Sequence, residues 1–242
     1  MIDLPAFDEQ DMYDAETTWH LLLGEDRLGK LLVHWEAMKD VSRLPGAIVE
    51  CGVFKGTSFV RFAVMRSLLG SNAAAKLIGF DTFGDEYPTT GFSEDLLQRQ
   101  HWIDTAGGSS IGVSQLEMCL DRIGATNYQL VSGDATSTIP DFVEQNPGLR
   151  IALLNLDIDF MEPTMAALTS FWDRVVPGGI VLLDNYSGEG SSGVSLFGDT
   201  QAIDEFFRDK DVSIQRLSFV ARPCFVRKPG GSRPVDPFTV KM

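Results

Sequence analysis

Five short runs of Ile, Leu and Val set the fold class of this chain. They lie near residues 47–51, 76–80, 128–131, 151–156 and 180–183, and they are apolar at consecutive rather than alternate positions. A strand that is apolar on both faces has to be covered on both faces, which is the situation of a parallel sheet between two helical layers. Helix-period segments sit between the runs, near 58–69, 112–123, 139–144, 161–175 and 201–208. The alternation predicts an α/β fold, a mostly parallel sheet with helices on both faces. Two further strands are expected near 212–217 and 224–227; the short connection between them predicts an antiparallel pair and brings the sheet to seven strands. "VPGGI" (176–180) supplies a helix stop and a turn.

The 242 residues suffice for one sizeable α/β domain. Residues 1–45 precede the first strand and carry an amphipathic pattern over roughly 28–41, so we expect an N-terminal helical arm or lid (1–45) followed by one domain (46–242). Such an arm often packs on a second copy, and a homo-oligomer is expected. Two stretches break the alternation: 84–110, which holds Tyr87, His101 and Trp102, and the glycine- and serine-rich 187–198. Long loops in compact domains serve as lids or binding loops, and these two are expected to form the acceptor site.

Charge excludes some partners. A net charge of −14 argues against nucleic acid and against an anionic membrane surface. Three cysteines, Cys51, Cys119 and Cys224, in no metal-type spacing, suggest reduced thiols and a cytoplasmic setting. No basic-then-apolar leader and no apolar run near ~20 residues is present, so neither secretion nor a membrane span is expected.

The chemistry-bearing residues gather where strands end. The first strand runs into "ECGVFKGTS" (50–58), whose glycines let backbone approach a ligand closely or simply make a tight turn. The spacing is not that of a dinucleotide GxGxxG loop. The second strand ends in "IGFDTF", and an acid there (Asp81) is placed to grip ribose hydroxyls or to cap a turn. The third ends in "SGDAT", with Gly133, Asp134 and Ala135; Asp134 suits an adenine edge or a helix cap. Finally "LLNLDIDFMEP" (153–163) and "VLLDNY" (181–186) end apolar runs in Asp157, Asp159, Asp184 and Asn185. Three carboxylates with no Lys or Arg among them would repel one another, and a hard divalent cation with oxygen ligands would resolve the repulsion. No His or Cys lies near, which disfavours zinc.

The order of "VECGVFKGTS", "IGFDTF", "SGDATSTIP", "LNLDIDFMEPTMAAL", "VPGGIVLLDNY" and "TQAIDEFF" resembles the macrocin O-methyltransferase family of class I S-adenosylmethionine-dependent enzymes, from about residue 46 to 228. Many members methylate deoxysugar hydroxyls of natural products. The resemblance implies a Rossmann-like class I methyltransferase fold, with a seven-stranded sheet and an antiparallel last strand. It implies S-adenosylmethionine held by Glu50, Gly52, Val53, Gly56, Thr57 and Ser58 at its methionine part. Asp81, with Thr82 and Phe83, would hold the ribose; Gly133, Asp134 and Ala135 would flank adenine, and Asp157 would be a further cofactor contact. It further implies Mg²⁺ (or Mn²⁺) on Asp157, Asp184 and Asn185, with Asp159 as general base. Asn185 stands where members often have a second aspartate; the related catechol-type enzymes have an Asp-Asn pair.

A metal chelating two vicinal hydroxyls would activate the acceptor, a sugar or glycoside. It would also depress the pKa of Asp159, leaving a weak base. His101 is a second candidate base. Asp204 is a supporting or a solvated group, Trp102 and Tyr87 stack on the acceptor or pin the loop, and Cys51 is a core residue. Two alternatives are a phenol or catechol acceptor, disfavoured because no lysine follows Asp159 before Lys210, and a nucleoside-binding scaffold without catalysis.

Overall fold

The structure is a computed structural model; it describes residues 2–71, 74–84, 90–93, 95–186 and 197–230. Seven strands form one sheet in the order β3-β2-β1-β4-β5-β7-β6. These are β1 (Ala47–Cys51), β2 (Leu77–Asp81), β3 (Tyr128–Ser132), β4 (Ile151–Leu156), β5 (Val175–Leu183), β6 (Gln215–Arg216) and β7 (Cys224–Arg227). Strands β1 to β5 are parallel, and β7 runs antiparallel to both β5 and β6. The crossover from the β3-β2-β1 half to the β4-β5 half puts the switch point between β1 and β4, where ligands of such sheets bind.

The doubly apolar strands are explained by two cores. Residues Val49, Cys51, Leu154, Leu156, Val181 and Leu183 point to one face of the sheet. There they meet α6 (Ala135–Gln145), α7 (Met161–Phe171) and α8 (Phe197–Phe207) through Ile139, Phe142, Leu168, Phe171, Ile203 and Phe207. Their neighbours Ile48, Leu153, Ile180 and Leu182 point to the other face. That face is covered by α2 (Glu25–Val41), α3 (Thr57–Leu68) and α5 (Val113–Arg122) through Val33, Met38, Phe59, Phe62, Leu116 and Leu120. Period-2 side-chain alternation with apolar residues at both parities thus feeds both cores.

Several expectations are corrected. The "VPGGI" segment is not a turn between helix and strand but part of β5. Ile151 pairs with Val175 and Leu153 with Ile180, so the Pro177–Gly179 residues bulge out of the ladder. The expected helix over 161–175 stops at Phe171 and closes with a 3-10 turn, Trp172–Arg174. Only Gln215–Arg216 of the expected 212–217 strand pairs. The 84–110 stretch is not all loop: α4 (Asp95–Ala106) lies within it, while Tyr87 falls outside the described residues. Of 187–198, residues 187–196 also fall outside them. The N-terminal region holds two helices, α1 (Glu9–Leu22), capped by Asp8 and with no buried residue, and α2, which packs into the core. No helix among the described residues is long and apolar enough to cross a membrane.

Candidate active site

The carboxyl ends of β1, β2, β3, β4 and β5 surround a cavity of about 650 Å³, within the size range of small-molecule sites. Gly52, Val53, Thr57, Ser58, Asp81, Thr82, Gly133, Asp134, Ala135, Asp157, Asp159, Asp184 and Asn185 all line it. Glu50, Gly56 and Phe83 do not: Glu50 is fully buried in β1, and Gly56 faces Leu116 and Ile111. His101 is not among the lining residues, whereas Trp102, one position further along α4, is.

The glycine loop is built for close approach. Gly52 has φ of 90°, and a Cβ there would lie 2.1 Å from the Asp157 carbonyl oxygen, so β1 and β4 meet over an atom-thin gap. Asp81 braces the same loop, accepting from the Phe54 backbone N–H at 2.8 Å and the Phe83 N–H at 3.0 Å. Asp134 caps α6, accepting from Thr136 N–H at 2.8 Å and from its hydroxyl at 2.7 Å. Below the loop, Glu50 Oε1 accepts from Asn155 Nδ2 at 2.9 Å, while Oε2 is buried with no hydrogen-bond partner. Burial pushes the Glu50 carboxyl up to about 8.

The acid cluster corrects the premise from which a metal was expected. A cation does stand among the carboxylates. Lys30 of α2 donates to Asp157 Oδ2 at 2.9 Å and to Asp184 Oδ2 at 2.7 Å. Burial works against the Lys30 ammonium, but Asp157 and then Asp184 outweigh it and hold its pKa above the usual lysine range. Burial likewise opposes ionisation of Asp157, yet Lys30 holds that carboxyl below its usual range. The second acid of the pair, Asp184, is pushed up by burial and by Asp157. Asn185 donates its amide N–H to Asp159 Oδ1 at 2.5 Å and turns its carbonyl toward Arg222 at 3.5 Å.

These residues do not fit a divalent ion. The two facing carboxylate oxygens are taken by an ammonium, and the amide carbonyl faces a guanidinium. A second cation there would meet like charge. Asp184 Oδ1 is buried without a partner, but no group of three potential metal-ligating side chains occurs among the described residues.

Asp159 reverses its expected character. Burial, then Asp157, Asp199 and Asp184, raise its pKa well above the usual carboxylate value, so its ionised form is a stronger base than an ordinary aspartate. Asp204 accepts from the Tyr186 hydroxyl at 2.7 Å. Cys51 is a fully buried core residue.

Lys30, His34, Arg61, Arg222 and Asp199 were missed in the sequence. His34 is buried, stacked on Phe62 with ring centroids 4.6 Å apart, and its Nδ1 lies 3.4 Å from the Arg61 guanidinium. Burial, then Lys30 and Arg61, keep His34 neutral. The one sequence signal was a polar residue every fourth position, Lys30 and His34, inside an otherwise apolar helix face. Because Lys30 enters the site from upstream, the lack of a lysine soon after Asp159 carries no weight against a phenol.

The family model described as macrocin-O-methyltransferase (TylF) matches residues 5–214, a span that includes α1 and α2. The chain is 28% identical over 179 residues to 8-demethyl-8-(2,3-dimethoxy-alpha-L-rhamnosyl)-tetracenomycin-C 4'-O-methyltransferase of Streptomyces olivaceus, covering 72% of this chain and 65% of that protein. It is 26% identical over 181 residues to demethyldecarbamoylnovobiocin O-methyltransferase of Streptomyces niveus, covering 69% and 62%. The chain thus spans just under two thirds of the length of these curated relatives. Among solved structures, calicheamicin methyltransferase CalS11 superposes with a TM-score of 0.72 at 22% identity, covering 92% of this chain and 86% of that one. The O-methyltransferase NovP does so with 0.67 at 18%, covering 84% and 80%. The expected class I methyltransferase fold is borne out by these superpositions and by the sheet order.

Proposed function

The chain belongs to the macrocin O-methyltransferase family, and on that premise we propose that it transfers a methyl group from S-adenosylmethionine to a hydroxyl of a sugar-bearing small molecule. The observation that carries the reading is the cavity itself. A glycine-containing loop and Asp81 form one wall, and a partly buried Asp159, its pKa raised, beside an acid pair bridged by Lys30 forms another. A sugar acceptor is favoured by the curated relative whose name specifies 4'-O-methylation of a rhamnosyl tetracenomycin.

The residues fit the cofactor: the lining holds Gly52, Asp81, Gly133 and Ala135 at adjacent strand ends. S-adenosylmethionine, when bound, supplies an electrophilic methyl carbon on a positively charged sulfur. The carboxylate of Asp159 takes the proton from the acceptor O–H. A bound cofactor would then supply that methyl group to the oxygen, the C–S electron pair staying with sulfur. Asn185 orients Asp159 through its amide N–H, leaving the second carboxylate oxygen for the proton. Displacement at carbon requires the hydroxyl in line with the methyl group, and that positioning would fall to the cavity walls.

Methyl transfer from labelled S-adenosylmethionine, screened against nucleotide-sugars, glycosides and catechols, tests the proposal. Label should appear on a sugar hydroxyl. Calorimetry showing no binding of S-adenosylmethionine would refute the reading, and transfer to catechols alone would move the acceptor to the phenol class.

A further inference from the structure

The acid pair at the ends of β4 and β5 is closed by the chain itself. Lys30 is not a loose surface lysine that happens to reach inward. It sits one turn before Val33 and His34 and two before Ala37 and Met38, which bury one face of α2 in the core. The residue before it, Gly29, is fully packed: a Cβ there would lie 2.4 Å from Val220 Cγ1, so α2 lies tight against the segment leading into β7. Helix rotation and depth are therefore fixed on both sides of Lys30. Its ammonium spans Asp157 Oδ2 and Asp184 Oδ2 at 2.9 and 2.7 Å. An ammonium has three N–H donors. Two are used here, and the third has no partner among the described residues while Lys30 lines the cavity.

We propose that Lys30 is a built-in cation that takes the place of a divalent metal between Asp157 and Asp184, excludes such a metal, and presents its third N–H to the acceptor oxygen. The catalytic half of this statement rests on the methyl-transfer reading; the metal-exclusion half does not. Asn185 suits the same arrangement. An ammonium carries half the charge of Mg²⁺, and a second ionised carboxylate beside the pair would go uncompensated, whereas an amide adds none. As the acceptor hydroxyl loses its proton to Asp159, negative charge grows on the oxygen. A donor already aimed into a partly desolvated cavity stabilises that charge without reorganisation. Lys30 supplies one charge and hydrogen-bond direction; it provides no chelate for two hydroxyls, so the enzyme would not require a vicinal diol.

The test is direct binding of Mn²⁺, read by the loss of the free-ion electron paramagnetic resonance signal, on the full chain and on Lys30→Met and Lys30→Gln. This measurement needs neither cofactor nor acceptor, so its outcome is independent of whether the methyl-transfer reading holds. The native chain should leave the signal unchanged, and a folded Lys30 variant should gain one Mn²⁺ per chain. Binding of Mn²⁺ by the native chain overturns the inference, and so does a folded variant that gains none. If neither variant folds, the native chain decides through the ¹⁵N resonance of the Lys30 ammonium. An unchanged resonance on adding Mg²⁺ supports the inference, and a shift overturns it. In the transfer assay, EDTA should leave the native rate unchanged, and Lys30→Met should lower kcat by about 10²-fold, the loss seen when one preorganised donor is removed.

Discussion

Glu50→Gln isolates the energetic cost of the acid buried beneath the glycine loop. Glu50 is fully buried in β1, one carboxylate oxygen bonded to Asn155 at 2.9 Å and the other without a hydrogen-bond partner. Burial raises its pKa from 4.5 to about 8, opposed in part by Ser58. The sign follows from proton counting. Between those two values the native state keeps the proton and the unfolded chain has lost it, so the native state binds more protons and stability falls as pH rises. The gap, at ~1.36 kcal/mol per pH unit, amounts to about 5 kcal/mol of stability present below pH 4.5 and lost by the time pH passes 8. The glutamine side chain of the variant cannot ionise and keeps an acceptor for Asn155. Urea denaturation of both proteins across this window should therefore show the variant gaining on the native chain steadily with pH, by several kcal/mol in all. The comparison cancels every other titration the two proteins share. A stability difference independent of pH would refute the burial argument, and a difference that shrinks with rising pH would mean that Glu50 is ionised and paired in the native state.

Gly52→Ala should destabilise the fold by at least about 2 kcal/mol, since it combines a left-handed φ of 90° with a Cβ 2.1 Å from a backbone oxygen; a Tm equal to that of the native chain would contradict this. Asp159→Asn should lower the transfer rate by about 10²–10⁴-fold while leaving cofactor binding measurable by calorimetry. Because burial and its acidic neighbours raise the Asp159 pKa, the native rate should fall as pH drops through a value well above 3.8, and this acid limb should vanish in Asp159→Asn. Arg66→Leu should cost about 2–4 kcal/mol in chemical denaturation: Arg66 is fully buried and donates to the carbonyls of Ala75 at 2.8 Å, Asn127 at 2.9 Å and Thr126. A loss below about 1 kcal/mol would mean that water replaces the guanidinium at all three.

The sequence by itself determined the layered fold and the address of the site. Side-chain alternation along a strand is a local property, so consecutive apolar residues such as Leu153–Leu154 and Val181–Leu182 already demanded cover on both faces, and they feed the two cores observed. Strands β2, β4 and β5 lead to Asp81, Asp157 and Asp184, and in a parallel sheet all carboxyl ends lie on one edge, so these acids had to converge. The boundaries that slipped were those where local rules compete. Pro177–Gly179 reads as a turn but bulges within β5, because β7 bonds across it through Gly178 N–H to the Lys228 carbonyl at 2.9 Å. What neutralises the acids was decided only in three dimensions. Lys30 lies 127 residues before Asp157 and 154 before Asp184, and no periodicity links positions so far apart. The character of Asp159 was likewise set in space, by desolvation and by Asp157, Asp199 and Asp184 around it. Residue type names the charge that a side chain can carry; which charge it keeps, and beside which partner, depends on burial and distance, and those exist only once the helices have closed over the sheet.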